Sequence, residues 1–432
     1  MSARPAPQAS ASLLPRGTPF SWLLPAALVA ALGCPHPQPG AEAAPEGPEP
    51  ELRVGLAMGL SSVRLGGDGE LFITDDGNGQ PVGAIAAGSV WTIAVDSAAG
   101  FTLLRPDGTR TERHQGISAV NVTEGRFAMA NGRRYRGRIN VVRLPGGLLL
   151  INRLPLESYL AGVLGQEMGP RRQEEREALL AQAIIARTFA VRNRGRWEAN
   201  GFDATADTRD QVYTGVDGET AQVWDALRAT TGQVVRFQGK VIDAYYHASC
   251  GGRTAAVEDV FKSARRQPYL RSVSDASGGG HSYCELAPHF QWREEWDAQT
   301  LRTILTRTLP AVMTVSGDGL QPIADVQVTR TTSSGRVGEL RIVFAHGDVR
   351  IAGPDVRTIL RPAADRLLQS AAFRVSVTTD GGRVSRLVAQ GSGAGHGVGF
   401  CQWGAIGRAR AGQQYREILT TYFPGTTVER LY

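Results

Sequence analysis

A helical repeat of apolar residues between positions 155 and 168 constrains the fold of this chain most strongly. Apolar side chains recur there every three or four residues, which places them on one stripe of an α-helix. They are Leu156, Tyr159, Leu160, Val163 and Leu164. Pro155 suits the first helical turn, and Gly169-Pro170 stops the helix. The pattern predicts an amphipathic helix that packs against a core.

Glu167 lies on the same stripe, four residues after Val163. A carboxylate there is expected to be partly buried and near the negative end of the helix dipole. Both effects disfavour the charged form and raise the pKa of the carboxyl group. An acid that stays protonated near neutral pH can serve as a general acid. The structural alternative is an ion pair between Glu167 and a core arginine, for which Arg187 is the candidate.

The next helical segment, residues 178–191, is apolar on almost every side, so it is expected to be central and buried. Gln182 and Arg187 are its polar exceptions. Because buried polar groups need hydrogen-bond partners, these two residues either stabilise the core or line a cleft.

The remaining patterns predict an α+β fold, with helices packed on antiparallel β-sheet. Residues 52–150 contain short apolar segments separated by Asp-Gly and Asn-Gly turn signals, which indicates a β-rich part. Residues 151–432 form the predicted core. Within it we expect a hairpin around Gln238-Gly239, a helix that starts near Gln402, and an amphipathic helix over residues 415–423.

The first 34 residues have the pattern of an export signal. Arg4 and Arg16 precede an apolar run, residues 20–32, that is too short to span a bilayer. Cys34 ends an Ala-Leu-Gly-Cys sequence that looks like a bacterial lipobox, with Ala31 in place of the usual leucine. Residues 35–51 are predicted to be an extended linker. We expect an exported, periplasmic lipoprotein anchored to the membrane through Cys34; a cleaved signal peptide without lipid is the alternative.

The charge of the chain does not single out nucleic acid as a partner. The net charge is +6, which suits an anionic polymer such as cell wall. Only two of the 47 basic residues are lysines, a bias that indicates a GC-rich coding sequence. No basic stripe interleaved with aromatic residues is present, so nucleic-acid binding is not predicted.

Five short motifs follow one another along the chain. They are a Leu-Glu-x-Tyr helix ending in Glu167-Met168, an Ala-Gln-Ala-x-x-Ala-Arg-Thr helix at 181–188, Gln211-Val-Tyr213, His247-x-Ser-x-Gly-Gly252 and Gly395-His-Gly-Val-Gly399. Together they resemble the SpoIID/LytB family (stage II sporulation protein D) over residues 51–432. The resemblance implies a cleft over the Glu167 helix and lytic transglycosylation of peptidoglycan glycan strands, on strands stripped of peptide. Glu167 stands at the position of the family's catalytic glutamate.

This reaction needs one carboxyl group, whereas ordinary glycosidases use two. The C6 hydroxyl of muramic acid attacks its own C1, so one residue can protonate the leaving oxygen and then accept the C6 proton. His396 either donates to substrate or fixes its loop, and Arg187 either binds a lactyl carboxylate or forms a structural salt bridge. The other expected substrate contacts are Gln182, Tyr213, Ser249 and the backbone of Gly251 and Gly252.

Two other functions stay open at this point. One is the role of the LytB branch, a non-catalytic enhancer of an N-acetylmuramoyl-L-alanine amidase; the retained Glu167 favours an enzyme instead. The other is a true hydrolase with a second carboxylate. The candidates for that carboxylate are Asp207, Asp210, Glu258 and Asp259.

No cofactor is required by this chemistry, but the cysteines permit a zinc site. In an oxidising compartment, a disulfide between Cys250 and Cys284 is the simpler prediction. The alternative is a Cys₂His₂ zinc site formed by His247, Cys250, His281 and Cys284, although the gap between the two pairs is unusually long. Cys401, where the family usually has serine, is expected to be a buried free thiol. The family resemblance places another zinc site just before the Gln-Val-Tyr motif; here Ala204, Arg209 and Asp210 occupy those positions, so that site is absent.

Leu180 stands where many relatives have lysine.

Overall fold

The computed structural model describes residues 46–97, 100–312, 314 and 322–432, which fall within one compact unit, Glu42–Tyr432. The predicted export signal, the lipobox at Cys34 and most of the predicted linker lie outside the described residues. Among the described residues, no helix combines the length and the apolar composition that crossing a bilayer requires.

The strands of the first part of the chain are β1 (Glu51–Leu60), β2 (Ser62–Gly67), β3 (Leu71–Asp75), β4 (Pro81–Ile85), β5 (Val90–Ser97), β6 (Gly100–Leu104), β7 (Gly116–Asn121), β8 (Ala128–Ala130), β9 (Arg133–Tyr135), β10 (Arg138–Leu144) and β11 (Gly147–Pro155). The later strands are β12 (Ala204–Thr205), β13 (Gln233–Phe237), β14 (Lys240–Val241), β15 (Tyr246–His247), β16 (Ala276–Gly278), β17 (His281–Ser282), β18 (Gln291–Asp297), β19 (Ile323–Thr331), β20 (Val337–Phe344), β21 (Gly347–Ala352), β22 (Phe373–Asp380), β23 (Arg383–Ser392), β24 (Phe400–Cys401) and β25 (Thr427–Arg430). The helices are α1 (Leu156–Met168), α2 (Arg176–Asn193), α3 (Ala221–Ala229), α4 (Ala298–Thr308), α5 (Val356–Ile359), α6 (Gln402–Arg410) and α7 (Tyr415–Tyr422).

Two sheets, antiparallel except where β12 pairs with β1, account for the β-rich beginning of the chain. One has the order β12-β1-β11-β10-β7-β3-β4, and the other has the order β6-β5-β2-β8-β9. Strand β11 pairs with β1 from Leu60↔Leu148 to Glu51↔Pro155 and then leads directly into α1. The predicted division at residue 150 therefore falls inside a strand that joins the sheet to the first helix.

Helix α2 is the centre of the main core. It packs against α1, α3, α6, α7 and β13, and its residues from Ala178 to Thr188 are all buried. Its small alanine side chains permit this close packing on several sides. Gly162 and Gly165 on α1 have the same effect, because a Cβ at either position would collide with Tyr213 or Gly218.

A second hydrophobic core is formed by a segment of the sequence that has residues of the first core both before and after it. We call residues 291–392 the inserted region. Its sheets have the orders β18-β23-β22 and β19-β20-β21, and its buried residues, which include Trp296 and Leu340, form a separate cluster. The chain then returns to the main core through β24 and α6.

The α+β prediction is confirmed, since helices pack on antiparallel sheets. The hairpin forms with Gln238 and Gly239 both at positive φ, as a tight two-residue turn requires. Helices also form at the positions predicted for α1, α2, α6 and α7.

Candidate active site around Glu167

Glu167 lies in the last turn of α1 and is half-buried. Each of its carboxylate oxygens accepts one hydrogen bond from a neutral side chain. The Tyr246 hydroxyl donates to Oε1 over 2.9 Å, and Nε2 of Gln402 donates to Oε2 over 3.1 Å. Because a carboxylate has about four acceptor positions, the group keeps room for a proton and for an incoming ligand.

The pKa of Glu167 is raised above its ordinary value, as the sequence predicted. Burial is the main cause, and the hydrogen bonds from Tyr246 and Gln402 act in the opposite direction without cancelling it. Burial also raises the pKa of Tyr246 well above its usual range, so its hydroxyl keeps its proton and stays a donor. Two neutral donors therefore hold a carboxyl group whose protonated form is favoured.

Tyr246 is itself held by a chain of hydrogen bonds. The hydroxyl of Tyr159 donates to Oε1 of Gln211 over 3.2 Å, and Nε2 of Gln211 donates to the Tyr246 hydroxyl over 3.2 Å. Tyr159 belongs to the Leu-Glu-x-Tyr motif, and Gln211 begins the Gln-Val-Tyr motif. Both motifs thus act on Glu167 through Tyr246.

The two donors come from segments that pair as short parallel strands. Strand β15 pairs with β24 in the register Tyr246↔Phe400 and His247↔Cys401. Tyr246 therefore lies beside the start of α6, where Gln402 is the first residue. We call residues 393–399, which precede β24, the glycine loop. This loop packs tightly on the strand pair: at Gly395, with φ of 102°, a Cβ would lie 2.9 Å from the Cβ of His247. Close backbone packing accounts for the glycine there.

Arg187 does not pair with Glu167. Its guanidinium is fully buried and forms two hydrogen bonds of 2.8 Å with Glu157, at the first turn of α1. It also donates to the carbonyl of Gln233 over 3.1 Å. The structural salt bridge is therefore present, with Glu157 as the partner, and the guanidinium is not exposed to a lactyl carboxylate.

Gln182 and Tyr213 are also buried. The Tyr213 hydroxyl donates to Oδ1 of Asn152 over 2.7 Å, and the ring packs on Tyr159 at 5.2 Å between centroids. The amide of Gln182 has no hydrogen-bond partner within the described part of the chain. Both predicted contact residues are therefore buried in the main core of this structure.

The predicted turn at Ser249, Gly251 and Gly252 is fixed by backbone hydrogen bonds to the glycine loop. Ser249 exchanges two backbone hydrogen bonds, 3.0 and 2.8 Å long, with Ala394 of the glycine loop. Gly251 and Gly252 have positive φ values of 71° and 100°. The Ser249 side chain is buried, and within the described residues its hydroxyl has no partner.

His396 has a role inside its loop. Its Nδ1 accepts a hydrogen bond from the Val398 backbone over 3.1 Å, and its ring packs on those of Tyr245, His247 and Phe261. Burial lowers the pKa of His396 to about 4, so the ring is neutral near pH 7. These contacts correspond to the loop-fixing alternative.

A cleft of about 900 Å³ lies between the Cys250–Arg253 turn and the inserted region. Three of its lining residues are arginines: Arg253, Arg293 and Arg374. Glu167 is not among the lining residues, whereas Gly251 is. We place the candidate catalytic centre at Glu167 and not in this cleft, because the residues that line the cleft include no carboxyl group, whereas Glu167 has a raised pKa and two oriented donors.

Three of the four candidate second carboxylates, Asp207, Asp210 and Glu258, have other partners. Asp207 is paired with Arg209 at 2.7 Å, and hydrogen bonds from Arg209 lower the pKa of Asp207 to about 2. Asp210 accepts from the indole of Trp197 at 2.6 Å. Burial and the neighbouring Glu258 raise the pKa of Asp259.

The cysteine predictions need correction. Cys250 and Cys284 are free thiols with their sulfurs 3.5 Å apart, whereas a disulfide bond is about 2.05 Å long. The Cys₂His₂ set does not assemble either: Nδ1 of His247 bonds to the carbonyl of Val398, and His281 lies at the surface beside Glu285. The third cysteine, Cys401, is buried and forms no disulfide with Cys250 or Cys284. It lies with Cys250, Cys284 and Asp275 in a group that could hold a metal ion.

Sequence reasoning missed Tyr246, Gln402 and Asp275. A signal existed for the first two, because Tyr246 directly precedes the His-x-Ser-x-Gly-Gly motif and Gln402 closely follows the Gly-His-Gly-Val-Gly motif.

Comparison with known proteins agrees with this arrangement of motifs. The family model described as SpoIID, stage II sporulation protein, matches residues 145–237, and a domain of unknown function (DUF8618) matches residues 279–399. An uncharacterised protein of Brachyspira hyodysenteriae is 32% identical over 302 residues, covering 69% of this chain and 73% of that protein. The amidase enhancer of Bacillus subtilis is 28% identical over 62% of this chain, which spans only 40% of the enhancer's length. Stage II sporulation protein D of Bacillus subtilis is 26% identical, over 64% of this chain and 75% of its own. The chain belongs to the SpoIID/LytB family.

Proposed function

We propose that the protein is a lytic transglycosylase that cleaves the glycan strands of peptidoglycan, with Glu167 as the single general acid and base. The observation that carries the proposal is the setting of Glu167: a half-buried carboxyl group with a raised pKa, held between Tyr246 and Gln402. A charged partner such as arginine would keep the group ionised, but its two hydrogen-bond donors are neutral.

The proposed reaction consumes no water. Protonated Glu167 gives its proton to the glycosidic oxygen between N-acetylmuramic acid and N-acetylglucosamine, and the bond from C1 to that oxygen breaks. The C6 hydroxyl oxygen of the same muramic acid forms a bond to C1, and its proton passes to the Glu167 carboxylate. The products are a 1,6-anhydro end and a new N-acetylglucosamine end, and Glu167 regains its starting form.

The test uses the exported full chain and its Glu167→Gln variant on peptide-free glycan strands and on intact peptidoglycan, with the products read by mass spectrometry. We expect anhydro-muramic ends from the wild type on peptide-free strands and a loss of about 10²- to 10⁴-fold in the variant. Glu174→Gln is the matched control, because the Glu174 side chain is 56% exposed and pairs only at the surface.

Two other outcomes would reject the proposal. Reducing muramic ends would indicate a hydrolase with a second carboxylate. No cleavage of either substrate, together with faster cleavage by an added N-acetylmuramoyl-L-alanine amidase, would indicate an enhancer. The enhancer is the second candidate because a relative carries that name.

We also propose that the chain acts in the cell envelope as a lipoprotein attached through Cys34. The support is the charged, apolar and cysteine-terminated order of residues 1–34. Incorporation of labelled fatty acid into the wild type but not into Cys34→Ala is the expected result. Release of both proteins in soluble form after signal cleavage would contradict it.

A further inference from the structure

Four buried side chains from distant parts of the sequence meet beside the candidate active site. Cys250 lies in the turn after β15, and Asp275 directly precedes β16. Cys284 lies in a short 3₁₀ turn, and Cys401 is the N-cap residue of α6. Their sulfur and oxygen atoms all lie within 4.8 Å of one another, and all four residues are at most 1% exposed.

Two of the separations between these atoms are close to those of a tetrahedral zinc site, and the others fall within 4.8 Å. Zinc–sulfur bonds of about 2.3 Å at tetrahedral angles place two sulfurs about 3.8 Å apart, and a sulfur and a carboxylate oxygen about 3.6 Å apart. The sulfurs of Cys250 and Cys284 are 3.5 Å apart, and the sulfur of Cys250 is 3.5 Å from Oδ2 of Asp275.

Asp275 is oriented so that one oxygen faces the thiols. Its Oδ1 accepts hydrogen bonds from the Tyr422 hydroxyl at 2.7 Å and from two Arg408 nitrogens at 3.1 and 3.2 Å. Its Oδ2 faces Cys250. Outer hydrogen bonds of this kind fix the geometry of a ligating carboxylate in known metal sites.

The backbone is arranged to stabilise negatively charged sulfur. Gly252 N–H donates to the sulfur of Cys284 at 3.3 Å, and the N–H groups of Cys250 and Gly404 donate to the sulfur of Cys401 at 3.2 and 3.3 Å. Cys401 is also the N-cap residue of α6, so the donor from Gly404 is one of the backbone N–H groups left unpaired in the first turn of that helix.

Two nearby arginines can neutralise the net negative charge of such a zinc site. Three thiolates and one carboxylate around a divalent cation leave a net charge of about −2, which a buried site must neutralise. Two arginines that are at most 5% exposed are close by. Arg408 is bonded to Asp275, and Arg336 donates to the carbonyls of Cys250 and Arg253 at 3.0 and 2.9 Å.

We propose that Cys250, Cys284, Cys401 and Asp275 bind one structural zinc ion. Four protein ligands leave no open position, which is typical of a structural and not a catalytic zinc site. A disulfide between Cys250 and Cys284 would use only two of the three thiols and would leave the oriented Oδ2 of Asp275 without a role.

The metal would fix both donors to Glu167. Tyr246 lies four residues before Cys250, and Gln402 directly follows Cys401. A bond from one ion to both cysteines locks the register of β15 against β24, and with it the positions of Tyr246 and Gln402. The assignment of the metal site itself stands on its own ligands and does not depend on the proposed activity.

The experiment measures metal content and thiol state in the exported full chain, purified without a metal-affinity tag or reductant. Elemental analysis is expected to give about one zinc per chain. Thiol alkylation under native conditions should leave all three cysteines unmodified until a chelator removes the metal. Reconstitution with Co²⁺ should produce thiolate-to-cobalt charge-transfer absorption.

Variants separate ligands from neighbours. Cys284→Ala, Cys401→Ala and Asp275→Asn should each lower the zinc content or weaken zinc retention against chelator at least tenfold. His281→Ala is the matched control and should retain full zinc, since His281 lies outside the group. If a variant does not fold, the cobalt spectrum of the wild type still decides the matter. Zinc-free protein with Cys250 and Cys284 joined as a disulfide, zinc-free protein with three reduced thiols, or iron with inorganic sulfide would each overturn the proposal.

Discussion

The two ends of helix α1 each carry a buried or half-buried glutamate, but the two are treated in opposite ways. At the first turn, Glu157 receives two hydrogen bonds from the Arg187 guanidinium. At the last turn, Glu167 receives one bond each from a phenol and an amide. A cation stabilises the ionised carboxylate, whereas neutral donors do not offset the cost of burial. The comparison shows that the partner, and not the helix, separates a structural glutamate from a candidate catalytic one.

The largest effect is expected at the first turn of α1, where the loss of the Glu157–Arg187 ion pair should destabilise the fold. Glu157→Gln leaves the fully buried Arg187 charge without its partner, which should lower the free energy of unfolding by about 3–5 kcal/mol. Urea unfolding of the variant beside Glu174→Gln measures this, and the control should change by less than about 0.5 kcal/mol. A loss equal to that of the control would break the comparison between the two ends.

A smaller effect is expected from Tyr246→Phe, which removes one donor to Glu167. We expect a loss of glycan cleavage of about 10- to 150-fold, since a hydrogen bond to a charged group is worth about 1.5–3 kcal/mol. The Tyr246 bond lowers the pKa of Glu167, so its removal raises that pKa further. A general acid loses activity as pH rises through its pKa, so the descending limb should move to higher pH.

The pH–rate profile of kcat/KM checks this shift. Tyr415→Phe provides a matched control, because the Tyr415 hydroxyl bonds to Gln233 and not to Glu167. A limb that stays in place, or moves to lower pH, would show that Tyr246 does not act on the proton of Glu167.

The smallest effect concerns stability and pH. The folded pKa of Glu167 lies above its unfolded value. Its contribution to stability is therefore complete below the unfolded pKa and is lost as pH rises through the folded pKa. Glu167→Gln does not titrate at this position. The Tm of the variant minus that of the wild type should therefore be larger at about pH 8 than at about pH 4. A Tm difference that is the same at both pH values would contradict a raised pKa.

Local patterns in the sequence predicted the elements and the burial of Glu167, because helical periodicity depends only on neighbours in the chain. They did not predict its partners. Tyr246 and Gln402 are 79 and 235 residues away, and they meet through strands of two residues each, which are too short to show a period.

Arg187 was assigned the wrong partner for a geometric reason. Consecutive helices with a short connection run antiparallel, so a residue late in α2 meets the beginning of α1, where Glu157 lies, and not its end. The Cys₂His₂ zinc site predicted from His247, Cys250, His281 and Cys284 is also wrong for a geometric reason. A His-x-x-Cys spacing says nothing about side-chain direction at the end of a strand, and His247 is directed to Val398.

The way in which the inserted region joins the main core has a consequence for variation within the family. Its first and last residues, Gln291 and Ser392, are paired in neighbouring strands, and just outside them Gly393 N–H donates to the Phe290 carbonyl over 2.9 Å. The chain thus leaves and re-enters the main core at nearly the same point. A short connection would bridge the two ends, so we expect that this region can change in length and sequence without moving the backbone around Glu167.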